Sequence, residues 1–154
     1  VKEERTHIES YLEIQQFRYQ DILDYEIQMD EEIYGYIIPK LTLQPLVENA
    51  LYHGIKNKRG KGKILITGKK QGDKIIFQVI DNGKGMIEEE LNSLRKKMGG
   101  TDTGDEAKGF GVSNVNQRIK YYYGEEYGVF FESKENEGTN ATIIIAAKNI
   151  QLLS

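Results

Sequence analysis

The chain has 154 residues, 38% of them hydrophobic and 29% charged, with a formal net charge of −3 and no cysteine. That suits one domain with an extra helix. It excludes disulfides and thiolate metal sites, and the lack of a basic excess argues against nucleic acid as a partner. No apolar run approaches the roughly 18 residues needed to span a bilayer. The chain opens on Val1-Lys2-Glu3-Glu4, inside a helical pattern and without Met, and reads as a fragment of something longer.

Ile8, Leu12, Tyr19, Ile22 and Leu23 fall near helical spacing and predict a helix over 3–24. The runs "YEIQMD" and "YGYII" alternate and suit a strand and a connector over 25–38. Pro39 and Pro45 then mark a helix start, where a missing N–H does no harm. The helix continues to about Ile55, with Leu43, Leu46, Val47, Ala50 and Gly54 as its inward stripe. "KILITGKK" and "KIIFQVID" alternate on either side of Gln71-Gly72-Asp73 and predict a β-hairpin. Ile87 to Lys97 reads as a short helix. Gly99 to Lys108 has no apolar periodicity and reads as a mobile loop. Val112 to Tyr123 is a helix closed by Gly124, and "GVFFESK" with "NATIIIAA" forms a second hairpin. The predicted fold class is α+β, a two-layer α/β sandwich with a mixed, mostly antiparallel sheet and helices on one face.

Seven of the sixteen glycines fall between Gly83 and Gly111, bracketing that loop. Asp81 stands where a strand ends, before an Asn82-Gly83 turn. A carboxylate held on a turn free of bulky side chains can face a flat ligand and accept from an exocyclic amine such as that of adenine. Taken alone, the same residues also read as a plain surface turn. Gly109-Phe110-Gly111, followed by a helix, looks like an anion site, although a glycine pair alone is more often a tight turn. No P-loop pattern is present. On the helix at 43–55, Asn49 and His53 lie one turn apart on one flank at about 100° per residue. An amide oxygen suits Mg²⁺, and His53 could bond a phosphate oxygen or be a half-buried structural histidine. Glu48 points further round and reads as solvated or structural.

In chain order these pieces are "LQPLVENALYHG", "DNGKGM", "GFGVSNVNQRIKYYYG" and "EGTNATIII". Together they closely resemble the nucleotide-binding domain of sensor histidine kinases of the LytS/YesM type, within the Bergerat ATP-binding fold shared with gyrase, Hsp90 and MutL. The family's N box matches Glu48-Asn49-Ala50 with His53-Gly54 after it. Its G1 box matches Asp81, Gly83 and Gly85, and its G2 box matches Gly109, Gly111 and Asn114. "YLEIQQFRYQD" resembles the segment after the phosphoacceptor helix, so residues 1–24 are expected to end a dimerisation region and 25–154 to form the catalytic domain.

The resemblance implies ATP and Mg²⁺ as ligands, with Asn49 on the metal and Asp81 on the adenine amine. The glycines would shape the pocket, Thr139 would support Asp81, and residues 98–108 would form a lid. It further implies a cytoplasmic domain of a membrane-anchored protein, a homodimer at full length, and as partners the protein's own phosphoacceptor domain and a response regulator. Two features depart from the wider pattern. Pro45 occupies the place of the glutamate that activates water in gyrase-type ATPases, so efficient hydrolysis is not expected. No "PHFLFN"-like acceptor motif is present, and His7 is read as an exposed helix residue. The alternatives are a related Bergerat-fold protein kinase or ATPase, or a nucleotide-sensing interaction module without turnover.

Overall fold

The computed structural model describes residues 1–19, 22–55, 61–98 and 110–150. Helix α1 (Lys2–Arg18) leads to strand β1 (Leu23–Met29), and a 3-10 turn follows at Glu31–Ile33. Helix α2 (Gln44–Asn49) runs on into a wider π-helical turn, Ala50–Ile55. Strands β2 (Gly62–Gln71) and β3 (Lys74–Asp81) form a hairpin. Helices α3 (Glu88–Met98) and α4 (Phe110–Tyr123) precede a second hairpin, β4 (Gly128–Lys134) and β5 (Gly138–Ala146).

The five strands form one sheet in the order β1-β2-β3-β5-β4, with β1 parallel to β2 and every other pair antiparallel. Side chains alternate across a strand, so one face of each can be apolar. Ile64 and Ile66, then Ile75, Phe77 and Val79, then Ala141, Ile143 and Ile145 all point to the buried face. They join Ile8 and Leu12 of α1, Leu46 and Val47 of α2, Leu91 of α3, and Val115 and Ile119 of α4 in one core. The opposite face carries Gln78 and Thr142, half-buried, and Phe130, exposed. This is the predicted two-layer arrangement, with helices covering one side of a mixed sheet.

The first helix is shorter than the predicted 3–24. It stops at Arg18, and Leu23 belongs to the sheet, paired with Gly62 and only 1% exposed. Ile22 and Leu23 therefore owe their apolar character to β-pairing; Ile22 O accepts the N–H of Gly62 at 2.7 Å. The helix predicted to continue to Ile55 becomes a π turn over Ala50–Ile55, and at the junction the Ala50 N–H is shared between Leu46 O and Val47 O. A π turn holds an extra residue, a local cost that tertiary contacts must offset. Here it presents Leu51, Gly54 and Ile55 to the core side, all buried.

Two polar side chains hold α4 in place. Asn116 is buried; its Nδ2 donates to Met98 O at 3.1 Å and its Oδ1 accepts the Val129 N–H at 2.8 Å. This fixes α4 to the end of α3 and the start of β4. Arg118 donates to Lys40 O at 2.7 Å and to Leu41 O at 2.9 Å, tying α4 to the segment before α2. Among the described residues no helix is long and apolar enough to cross a membrane.

Candidate functional site

The site begins at the last residue of β3. Asp81 is only 5% exposed, and its Oδ1 accepts the Gly83 N–H at 2.8 Å. Gly54 of the π turn lies directly against it: a Cβ there would come within 2.6 Å of Asp81 Oδ1. Gly83 in turn packs on the Gly54 backbone, with no room for a side chain, and Lys84 N–H donates to Gly54 O at 3.3 Å. Asn82 Oδ1 accepts the Lys63 N–H at 2.7 Å and fastens the chain leaving β3 to β2. Gly85 has φ +66°, and a Cβ there would strike Lys134 O, so only glycine lets this loop pass under the β4–β5 turn.

Cross-strand register sets Thr139 of β5 opposite Asp81 and Ser133 of β4 opposite Thr139. A cleft of about 380 Å³ opens above this row. Asn49, His53, Asp81 and Thr139 line it, and Met86, Ile87 and Leu94 supply apolar surface. Lys84 and Lys97 also line it and bring cations, alongside the carboxylates of Glu89 and Glu90. Such a cleft can take a flat apolar ring against Met86 and Leu94, accept hydrogen bonds from the ring's edge at Asp81, and meet an anionic tail with cations.

Of the residues singled out in the sequence, Asn49, His53, Asp81, Gly85 and Thr139 come together on this cleft, with Gly83 packed behind Asp81. Gly111 and Asn114 do not line it. They face a second, open cleft with Pro45, Gln117, Arg118 and Tyr121. Gly109 and the expected lid beyond Met98 lie outside the described residues. Glu48 accepts from Gln44 Nε2 at 3.1 Å, in keeping with a structural part. Sequence reasoning missed the apolar wall of Met86, Ile87 and Leu94, and it missed Ser133. The register of the second hairpin could have found Ser133, because it stands opposite Thr139.

The architecture is a two-layer α/β sandwich with this cleft at the end of β3. Residues 39–149 match the family model described as histidine kinase-, DNA gyrase B- and HSP90-like ATPase, and the chain belongs to that family. Membership carries ATP as the ligand.

Two relatives are the sensor histidine kinase YesM of Bacillus subtilis (strain 168), 34% identical over 97% of this chain and 24% of that protein, and the sensor protein LytS of Bacillus anthracis, 30% identical over 96% and 25%. The chain thus spans about a quarter of the length of these two relatives. The catalytic domain of histidine kinase ThkA shares the fold, with a TM-score of 0.69 at 20% identity over 96% of this chain and 92% of that one.

Proposed function

We propose that this chain is the ATP-binding catalytic domain of a sensor histidine kinase. It holds Mg·ATP so that the γ-phosphoryl group passes to a histidine elsewhere in the same protein, and from there to a response regulator. The observation that supports this most is Asp81: a buried carboxylate with glycine backbone on one side and Thr139 on the other. That crowding leaves an edge-on slot suited to a planar base bearing an amine. A side chain at Gly54 would run into the Asp81 carboxylate and close it.

The donor set fits the proposed ligands. Asn49 offers one hard oxygen on the cleft wall, and no group of three or more His, Cys, Asp or Glu side chains able to hold a metal occurs among the described residues. One protein oxygen is what Mg²⁺ needs when phosphates and waters complete its shell. The ion, when bound, neutralises phosphate charge. Of the chain's own residues, Asp81 and Thr139 orient the base, while His53, Lys84 and Lys97 hold the phosphate end. The acceptor histidine supplies the nucleophile, so the domain acts by positioning and charge stabilisation. Pro45, within the first turn of α2, carries no group able to activate water, which disfavours an ATPase that turns over by itself.

ThkA has also been solved in complex with response regulator protein TrrA, and a response regulator is the corresponding partner proposed here. A homodimer at full length, a membrane anchor outside these residues and a cytoplasmic position belong to the same reading, as does the division at residue 24. Incubation with γ-labelled ATP and Mg²⁺ tests it. The chain should bind nucleotide without labelling itself, and pass acid-labile label to a separately produced phosphoacceptor segment of its own protein. Strong self-labelling lost in His7→Ala, or no transfer to the supplied segment, would overturn it.

A further inference from the structure

Ser133 is not among the residues lining the cleft, yet it completes the row that starts at Asp81. Asp81, Thr139 and Ser133 are consecutive partners across β3, β5 and β4. Ser133 Oγ accepts the Met86 N–H at 2.8 Å, lies 3.0 Å from Gly138 O, and lies 2.8 Å from Thr139 Oγ1. A serine hydroxyl has one proton and two lone pairs. The Gly138 carbonyl has no proton, so Ser133 donates there. Its one proton is then committed. The short contact with Thr139 must therefore use the threonine's proton, and Thr139 donates to Ser133. The threonine lone pairs are left for the cleft, beside a carboxylate that also only accepts. Asp81 and Thr139 together offer acceptors and no donor.

We infer that Ser133 is a positioning residue that determines base specificity. By fixing the Thr139 proton, it leaves Asp81 and Thr139 as paired acceptors for the two protons of an exocyclic amine at a purine's six-position, where a carbonyl would meet only lone pairs. This rests on the nucleotide reading above. Without the Ser133 oxygen, the Thr139 hydroxyl is free to rotate and donate into the cleft, and a six-carbonyl becomes acceptable. Met86 also loses a hydrogen-bond partner, which weakens every nucleotide alike and leaves the ratio between nucleotides untouched.

The test is calorimetric binding of ADP and inosine diphosphate to the wild-type chain, Ser133→Ala, Ser133→Thr and Thr139→Val. Wild type should prefer ADP. Ser133→Ala should narrow that preference by about three- to tenfold, the worth of one hydrogen bond. Ser133→Thr keeps the hydroxyl and should restore it. Adding Ser133→Ala to Thr139→Val should leave the ratio unchanged, because no hydroxyl remains to orient. An equal loss for both ligands in Ser133→Ala, or a further narrowing in the double variant, overturns the role given to Ser133 and leaves the nucleotide reading intact. If the wild-type chain binds neither ligand, the nucleotide reading falls and this inference with it. Should Ser133→Ala fail to fold, Ser133→Thr and Thr139→Val still decide: a wild-type ratio in Thr139→Val would refute the inference.

Discussion

Glu4 Oε1, on the first helix, accepts the N–H of Leu43 at 2.8 Å, and its Oε2 accepts that of Leu41 at 3.2 Å. Glu4 is 8% exposed. Leu43 is the residue before α2, and Leu41 has φ +58°, an unusual conformation for a leucine. Glu4 thus holds the strained entry to the helix that carries Asn49, from one side, while Arg118 holds the same segment from the other.

Glu4→Ala should lower unfolding free energy by about 1–3 kcal/mol, because it leaves the buried Leu43 N–H without an acceptor. Glu4→Gln keeps one acceptor oxygen and should fall between that variant and wild type. Urea denaturation of the three proteins measures it; equal midpoints for Glu4→Ala and wild type would contradict this role.

Gly54 is required where it touches Asp81. Gly54→Ala would set a Cβ 2.6 Å from the carboxylate oxygen. The side chain must then move from its place in the cleft lining. ADP affinity should fall about tenfold or more, by loss of a hydrogen bond to a charged group. A methyl group at Gly35 would meet nothing within 4 Å, so Gly35→Ala serves as the control and should bind like wild type. Calorimetry on both variants, with circular dichroism to confirm the fold, decides. Full affinity in Gly54→Ala would show that Asp81 does not meet the ligand.

Alkaline pH should destabilise the domain in a defined window. Burial pushes the Tyr123 phenol from its ordinary 10.0 to about 12, and burial also raises the Tyr11 and Tyr25 phenols. Between those values the unfolded chain has lost a proton that the folded chain retains. Stability is therefore full below pH 10 and falls as pH rises towards 12. Tyr123→Phe has no such proton and should lose stability less steeply across that range. Urea melts at a series of pH values compare the slopes, and parallel slopes would contradict the assignment to Tyr123.

The sheet was legible because its strands alternate strictly and turn chemistry separates them. Gln71-Gly72-Asp73 sits between two runs whose inward residues, Ile64 and Ile66 then Ile75, Phe77 and Val79, are the ones buried. Asn49, His53, Asp81 and Thr139 were legible because motif spacing carried them, and they share one cleft. The end of α1 was not, since Ile22 and Leu23 fit a helical stripe as well as a strand; only the partner Gly62 decides between them. The π turn was invisible for a similar reason. Within it Gly54 lies against Asp81, a contact between residues far apart in sequence. Gly111 and Asn114 were grouped with the cleft by motif order, whereas α4 turns them towards Pro45.

In the proposed function, Asp81 reads the base while Asn49 acts through the metal. Calorimetry of ADP binding to wild type, Asp81→Asn and Asn49→Ala, each with Mg²⁺ and with chelator, separates the two. Asp81→Asn should weaken binding about tenfold or more whether or not Mg²⁺ is present, since a hydrogen bond to a charged group is lost. Asn49→Ala should weaken it chiefly with Mg²⁺ and leave metal-free binding comparatively intact. Unchanged affinity in Asp81→Asn, or an equal loss in Asn49→Ala with and without metal, would contradict this division of the site.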